Sequence, residues 1–214
     1  MKPLFLLVLF GLALSGCGES YSWNQKLTVV VETPAGTKSA SSVTTARLKN
    51  KSGRFVPPEA GGASFSLKGE AVVLEVRPGK YLFALLKDLP RAYVLFYPDQ
   101  KSGLAGARAL ENAPVGQAIE LPADKYPMMV TFTDITDAAS VREVRPNNLE
   151  EFFGSGVKLK SLALTITDEA LTTDKVEGVV EWAGSPPERP VLPYLEPHDF
   201  SLAARLRISD FNRR

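Results

Sequence analysis

The sequence predicts a mainly β protein, built as a β-sandwich or as two small packed antiparallel β-modules with few short helices. Three observations lead there. Apolar residues alternate with polar ones in short runs, as at Leu27, Val29 and Val31, which is the period of a half-buried strand. Turn signals such as Pro34 with Gly36, and Pro78-Gly79, separate the runs. No stretch sustains the 3.6-residue apolar period of a long helix.

Taken in order, Lys26–Glu32 reads as a strand, and Thr33–Lys38 as a turn. Ser39–Lys49 returns as a more exposed partner in a hairpin. Residues 50–64 hold Gly53, Pro57, Pro58, Gly61 and Gly62 and read as a loop. Glu70–Val76, the turn Arg77-Pro78-Gly79-Lys80 and Tyr81–Leu86 make the clearest hairpin. Tyr81–Leu86 and Tyr93–Tyr97 are apolar on both faces and are expected to be central strands covered on each side. Residues 98–114 read as a boundary or long loop, with a short helix over Leu104–Glu111. Ala118–Leu121 and Met128–Thr133 read as strands, and Asn147 or Asn148 as the cap of a brief helix that ends at Phe153-Gly154. In Val157–Thr167 the apolar parity changes between Leu159 and Leu162, so a bulge near Ser161 is needed to keep all of them on one face. Val176–Trp182 and Phe200–Ser209 complete the expected strands, joined by a connector with five prolines between 186 and 197. The implied organisation is 1–16 leader, 17–25 tether, 26–97 N-terminal β-module, 98–114 boundary, and 115–214 C-terminal β-module.

Composition narrows the function. The chain has 25 Lys+Arg against 24 Asp+Glu, a formal charge of +1, which argues against a nucleic-acid partner. One His and one Cys leave no multi-His or multi-Cys metal site and no intrachain disulfide, and no cofactor is implied. Leu4–Leu14 is an apolar run preceded by Lys2. It is too short to cross a hydrocarbon core of about 30 Å and fits the apolar part of a secretory leader.

Leu14-Ser15-Gly16-Cys17, directly after that run, resembles a bacterial lipobox. The resemblance implies cleavage before Cys17, lipidation of Cys17 and a membrane anchor. It also implies the outer membrane over the inner, because Gly18 stands where an inner-membrane retention signal would have Asp. The segments SWNQKLTVVVETPAGTKSASSV, GEAVVLEVRPGKYLFALL, YPMMVTFTDITDAASVREV and GVKLKSLALTITDEALTT are similar to a family of uncharacterised proteobacterial lipoproteins. That similarity implies the same address and one evolutionary unit spanning both halves. The family has no assigned activity, so it implies no catalytic residue.

Four sets of residues are candidates for function. Val130–Asp134 and Leu164–Asp168 share the pattern apolar-Thr-apolar-Thr-Asp. If their strands were parallel neighbours, Asp134, Asp137, Asp168 and Glu169 would gather at one sheet edge, as a cation site or a paired-carboxylate hydrolase. Otherwise each Asp closes its own turn. Arg47, Lys49, Lys51 and Arg54 are spaced to contact an anionic lipid surface, to guard a sheet edge, or simply to lie on a solvated face. Tyr21 and Trp23, close to the anchor, either rest among headgroups or staple the first strand to the core. His198-Asp199 is the one adjacent His–carboxylate pair and reads as a turn without a nucleophile.

The expected role is a non-enzymatic binding or scaffolding module of the cell envelope, with an envelope protein or anionic lipid as partner. The alternative is a periplasmic hydrolase using Asp134, Asp137 and Asp168. Seven basic and two acidic residues between Lys26 and Lys68, against one basic and five acidic between Asp168 and Glu181, suggest a polarised molecule. Its first hairpin would then face the membrane, with the acidic stretch turned away.

Overall fold

The computed structural model describes residues 19–50, 62–184 and 200–214. The expected leader, Cys17, Lys51, Arg54, His198 and Asp199 lie outside the described residues, as does the proline connector. Two antiparallel sheets dominate the fold, as expected of a mainly β sandwich. The first holds six strands: β1 (Ser20–Thr33), β2 (Gly36–Asn50), β3 (Ala63–Glu70), β6 (Ala118–Glu120), β9 (Lys158–Thr167) and β10 (Asn212–Arg213), in the order β10-β3-β2-β1-β9-β6. The second holds β4 (Val72–Arg77), β5 (Lys80–Ala84), β7 (Met129–Phe132) and β8 (Val141–Val144), in the order β4-β5-β7-β8. Each sheet takes strands from both sides of residues 98–114. A division there into two modules is therefore not how the chain sorts, because β9 returns to pair with β1 from Asn24 to Glu32.

The β1–β2 hairpin forms because its residues alternate cleanly. Tyr21, Trp23, Leu27, Val29 and Val31 are buried on one side, while Ser22, Thr28 and Glu32 look outward. Thr33 closes the turn, accepting from the Ala35 amide at 3.2 Å and donating to the Gly36 carbonyl at 2.7 Å. The strand starts at Ser20 and not at Lys26, so most of the expected tether, Ser20–Gln25, is ladder. The expected bulge is present: Ser161 faces Val30 and Leu159 faces Val31, leaving Lys160 as the extra residue. That shift puts Leu159, Leu162, Leu164 and Ile166 on one core.

The second sheet is a middle layer. Leu82, Ala84 and Leu86 face a core shared with Val29, Val31, Leu162 and Leu164. Phe83 and Leu85, on the opposite face of the same segment, pack with Val130, Phe132, Val176, Val180, Leu206 and Phe211. The segment Tyr81–Leu86 is thus covered on both sides, which is why its sequence shows no polar alternation.

Three expected strands are helical instead. Of Tyr93–Tyr97, the first four residues lie in α1 (Ala92–Phe96) and Tyr97 caps it, between Pro90 and Pro98. A five-residue apolar run does not by itself distinguish a strand from a turn of helix. Val176–Trp182 forms consecutive turns that lead into a 3-10 helix, and its buried residues Val176, Val180 and Ala183 follow helical spacing. Phe200–Ser209 holds α4 (Leu202–Arg205), capped by Ser201 accepting from the Ala204 amide at 3.2 Å. Its apparent alternation is broken by Phe200, which is 80% exposed. Two further helices match expectation: α2 (Gly103–Glu111), and α3 (Leu149–Phe153), which stops at Gly154 with φ of 91°.

Glu70 is buried where β3 ends and the chain crosses to the second sheet. Its carboxylate accepts the amides of Asp174 (2.6 Å), Lys175 (2.9 Å) and Val176 (3.2 Å). Its carbonyl accepts the Ser42 hydroxyl at 2.7 Å. Glu70→Gln removes the charge and one acceptor oxygen, so at least one buried amide loses its partner at a cost of about 1–3 kcal/mol. Urea unfolding is expected to show that loss, with faster amide exchange at 174–176. Unchanged exchange there would show that the carboxylate does not hold the segment.

Candidate functional site

The Asp pattern does not build one site. β7 and β9 belong to different sheets, so the two Thr-x-Thr-Asp motifs are not neighbours and the premise of the hydrolase fails. Each carboxylate has local work. Asp134 accepts the Thr136 amide (2.9 Å) and hydroxyl (2.7 Å), an Asx-turn that starts the β7–β8 connection. Asp137 caps the next turn through the Ala139 amide at 2.9 Å. Ser140 ties that loop, donating to the Asp134 carbonyl at 2.7 Å. Glu169 pairs with Lys26, and its carbonyl accepts the Asn24 amide group at 3.2 Å. Asp168 is exposed at the end of β9. Among the described residues, no three His, Cys, Asp or Glu are grouped to hold a metal ion.

Two shallow depressions of about 250 Å³ each lie elsewhere. One is bordered by Tyr126, Met128, Glu143 and Arg145, the other by Glu70, Leu171 and Asn212. Both are smaller than the usual small-molecule pocket. Partial burial, with Glu120 nearby, pushes the Tyr126 phenol up from its ordinary value, so it stays protonated at neutral pH.

Arg47 and Lys49 sit exposed on the outer face of the first sheet, alternating with buried Ala46 and Leu48. Lys49 lies opposite Ser20, and Arg47 opposite Ser22. The Arg47 Nε donates to the Ser20 hydroxyl at 2.8 Å. Here β2 has β1 on one side and β3 on the other, so these cations guard no edge. They mark the end of the sheet where residue 19 enters β1, and Lys68, opposite Thr45, adds a third cation nearby.

That end has a second side, which sequence reading missed. β9 pairs with β1 only from Asn24 onward, and α2 covers the strand before it. Glu111 accepts the Ser22 amide at 2.9 Å. Arg108 reaches the Glu19 carboxylate at 3.1 Å, donates to the Tyr21 hydroxyl at 2.7 Å, and lies 5.4 Å from that ring's centre. Trp23 is buried, its indole N–H on the Gln25 side chain at 2.8 Å. Its ring meets Phe65 and Tyr93 at 6.4 and 6.3 Å. Tyr21 and Trp23 therefore staple the first strand to the core and do not lie among headgroups. Tyr93 brings α1 to this end, with Val94 at 55% exposed and Leu95 and Phe96 half-buried. The signal was the run Tyr93–Tyr97 itself, misread as a strand.

The hairpin tip at Thr33–Gly36 is about 43 Å along β1 from Ser20, counted at ~3.3 Å per residue. The open end of the hairpin, and not its tip, is the end that residues 1–18 join. The acidic stretch is not at the far end either. Glu169 lies beside Asn24 and Lys26, set back from Ser20 by about 13 Å.

Comparison of the chain with protein-family models, with curated proteins and with solved structures returns no match.

Thr136 holds the Asp134 carboxyl below its ordinary value, and Lys26 does the same for Glu169. A carboxylate depressed by folding stabilises above its unfolded pKa and ceases to as pH falls through its folded pKa. These two contributions should therefore be intact at neutral pH and fade in the acid range below about pH 4. Carboxyl NMR titration is expected to place both midpoints below the ordinary values. Ordinary midpoints would mean that the turn and the ion pair do not persist in solution.

Proposed function

We propose that the chain is a lipid-anchored protein of the bacterial cell envelope, acylated on Cys17. On this reading it resides at the outer membrane and acts as a non-enzymatic binding or scaffolding module for another envelope component. The observation that carries the reading is the junction between the N-terminal pattern and the fold. An apolar run and Leu14-Ser15-Gly16-Cys17 end three residues before Ser20, the first residue of β1. β1 is an interior strand, bonded to β2 along its whole length and to β9 over most of it. An anchor placed here would sit at most about 10 Å from the fold and be joined directly to its central ladder.

Lipid attachment of this kind holds only with more than one acyl chain, which a modified N-terminal cysteine supplies. The non-enzymatic part of the reading rests on the carboxylates. Asp134, Asp137 and Glu169 are spent on turns and an ion pair rather than aimed together at a shared space. The surface offered to a partner is the outer face of the first sheet, a field of Ser and Thr with Arg47, Lys49 and Lys68 at one end.

Intact mass of the membrane-extracted protein is expected to show a chain that begins at Cys17 and carries acyl groups there. Cys17→Ser should release it from the membrane fraction. A soluble wild-type product with a free Cys17 thiol would contradict the proposal.

A further inference from the structure

The end of the molecule at Ser20 combines three things that rarely coincide on a solvated surface. The first is where the chain outside the described fold joins it. Residues 1–18 precede Glu19, and they include the apolar run Leu4–Leu14 and Cys17. Whether the lipid or the run is the membrane-seeking group, it is attached within a few residues of β1. The second is a set of exposed cations around that point: Arg47 and Lys49 on the outer face, Arg91 and Lys101 flanking α1, and Arg108 on α2. The third is an apolar projection on α1, which packs on the core face of the first sheet, opposite the face that carries Arg47 and Lys49. Val94 is more than half exposed, with half-buried Leu95 and Phe96 beside it.

The parts are fixed relative to one another. Tyr93 packs edge-on against Trp23 and Phe65, and the Arg91 guanidinium lies 5.4 Å from the centre of the Phe65 ring. Gly106 and Gly103 let α2 approach Tyr93 closely: a Cβ at either would stand 3.2 Å from it. Arg108 and Glu111 then hold α2 to Glu19, Tyr21 and Ser22. Helix, cations and strand start therefore form one rigid end.

We propose that this end is a membrane-docking face. α1 places Val94, Leu95 and Phe96 against the interfacial layer of an anionic phospholipid bilayer, and Arg47, Lys49 and Arg91 meet lipid phosphates around it. The proposal rests on the lipid-anchor reading and adds an orientation to it. The chemistry fits an interface more than a protein partner. The apolar part is small, its rim is cationic, and the anchor holds it within about 10 Å of the bilayer. Glu19 is paired with Arg108 and Glu169 with Lys26, while Glu111, which takes the Ser22 amide, and Asp99 after α1 are acidic groups that the cations of this end must outweigh.

The test uses the full chain, taken from the membrane fraction and reconstituted in vesicles of zwitterionic phospholipid with a third anionic phospholipid. Nitroxides are placed at Val94→Cys and, separately, at Ala35→Cys on the hairpin tip. Wild type reports on the anchor first. If Cys17 is acylated, wild type takes up no label; uptake at Cys17 would remove the anchor reading and this proposal with it. With Cys17 blocked, the label at 94 should be reached by oxygen and shielded from a water-soluble nickel chelate, while the label at 35 is open to the chelate. Equal exposure of both would overturn the docking face and leave the anchor standing. In the Val94→Cys background, Arg47→Ala with Lys49→Ala should lower the ratio of docked to undocked protein about 25-fold, the factor that two surface cations contribute together. An unchanged ratio would remove these two residues from the face.

Discussion

The three layers of this protein are joined at one buried carboxylate. Glu70 is the last residue of β3, and the next residue, Ala71, sends the chain into the second sheet. A charge so enclosed is costly unless its lone pairs are filled, and three consecutive amides from Asp174 to Val176 fill them. The same residue pairs with Asn212 of β10, and the Ala71 amide donates to the Phe211 carbonyl at 2.7 Å. One position thus binds the first sheet, the start of the middle layer and both described pieces of the C-terminal cover. Phe211, Val176 and Val180 are then set over Phe83 and Phe132, closing the second core.

The consequence for function is a division of labour along β1. The far end of the hairpin and the C-terminal cover make the sandwich. The near end is reinforced separately, by α1 and α2 packed around Tyr21, Trp23 and Tyr93. On the proposed reading this strand receives an anchor and must resist being drawn out of its sheet. The Ser22 amide on its edge before Asn24 is taken by Glu111, while Arg108 holds the Glu19 and Tyr21 side chains. The features that make this end stiff are also those that put cations and Val94 on its outside.

Where sequence and fold agree, a period or a forced irregularity was visible. Alternation gave β1 and β4, the Pro78-Gly79 turn placed β5 after β4, and the parity change between Leu159 and Leu162 required the bulge found at Lys160. Gly154 announced the end of α3. Phe65 and Leu67 alternate with Ser64, Ser66 and Lys68, yet this signal of β3 was hidden by the loop signals before it. Tyr93–Tyr97 and Val176–Trp182 failed for a different reason: short apolar runs bury equally well in either period, and packing decides. The paired Thr-x-Thr-Asp motifs misled because a shared local pattern fixes a shared local turn, not adjacency. Asp134 shows this, its carboxylate spent on Thr136. The proposed docking face was illegible because it assembles residues near 20, 47 and 94 through topology alone.

Neutron reflectometry of the anchored protein on a supported anionic bilayer tests the central claim most directly. If the molecule stands on the Ser20 end, protein density begins at the headgroups without a water gap and extends at least the length of β1, about 43 Å. A layer separated from the headgroups by water, or one markedly thinner than β1 is long, would contradict the account.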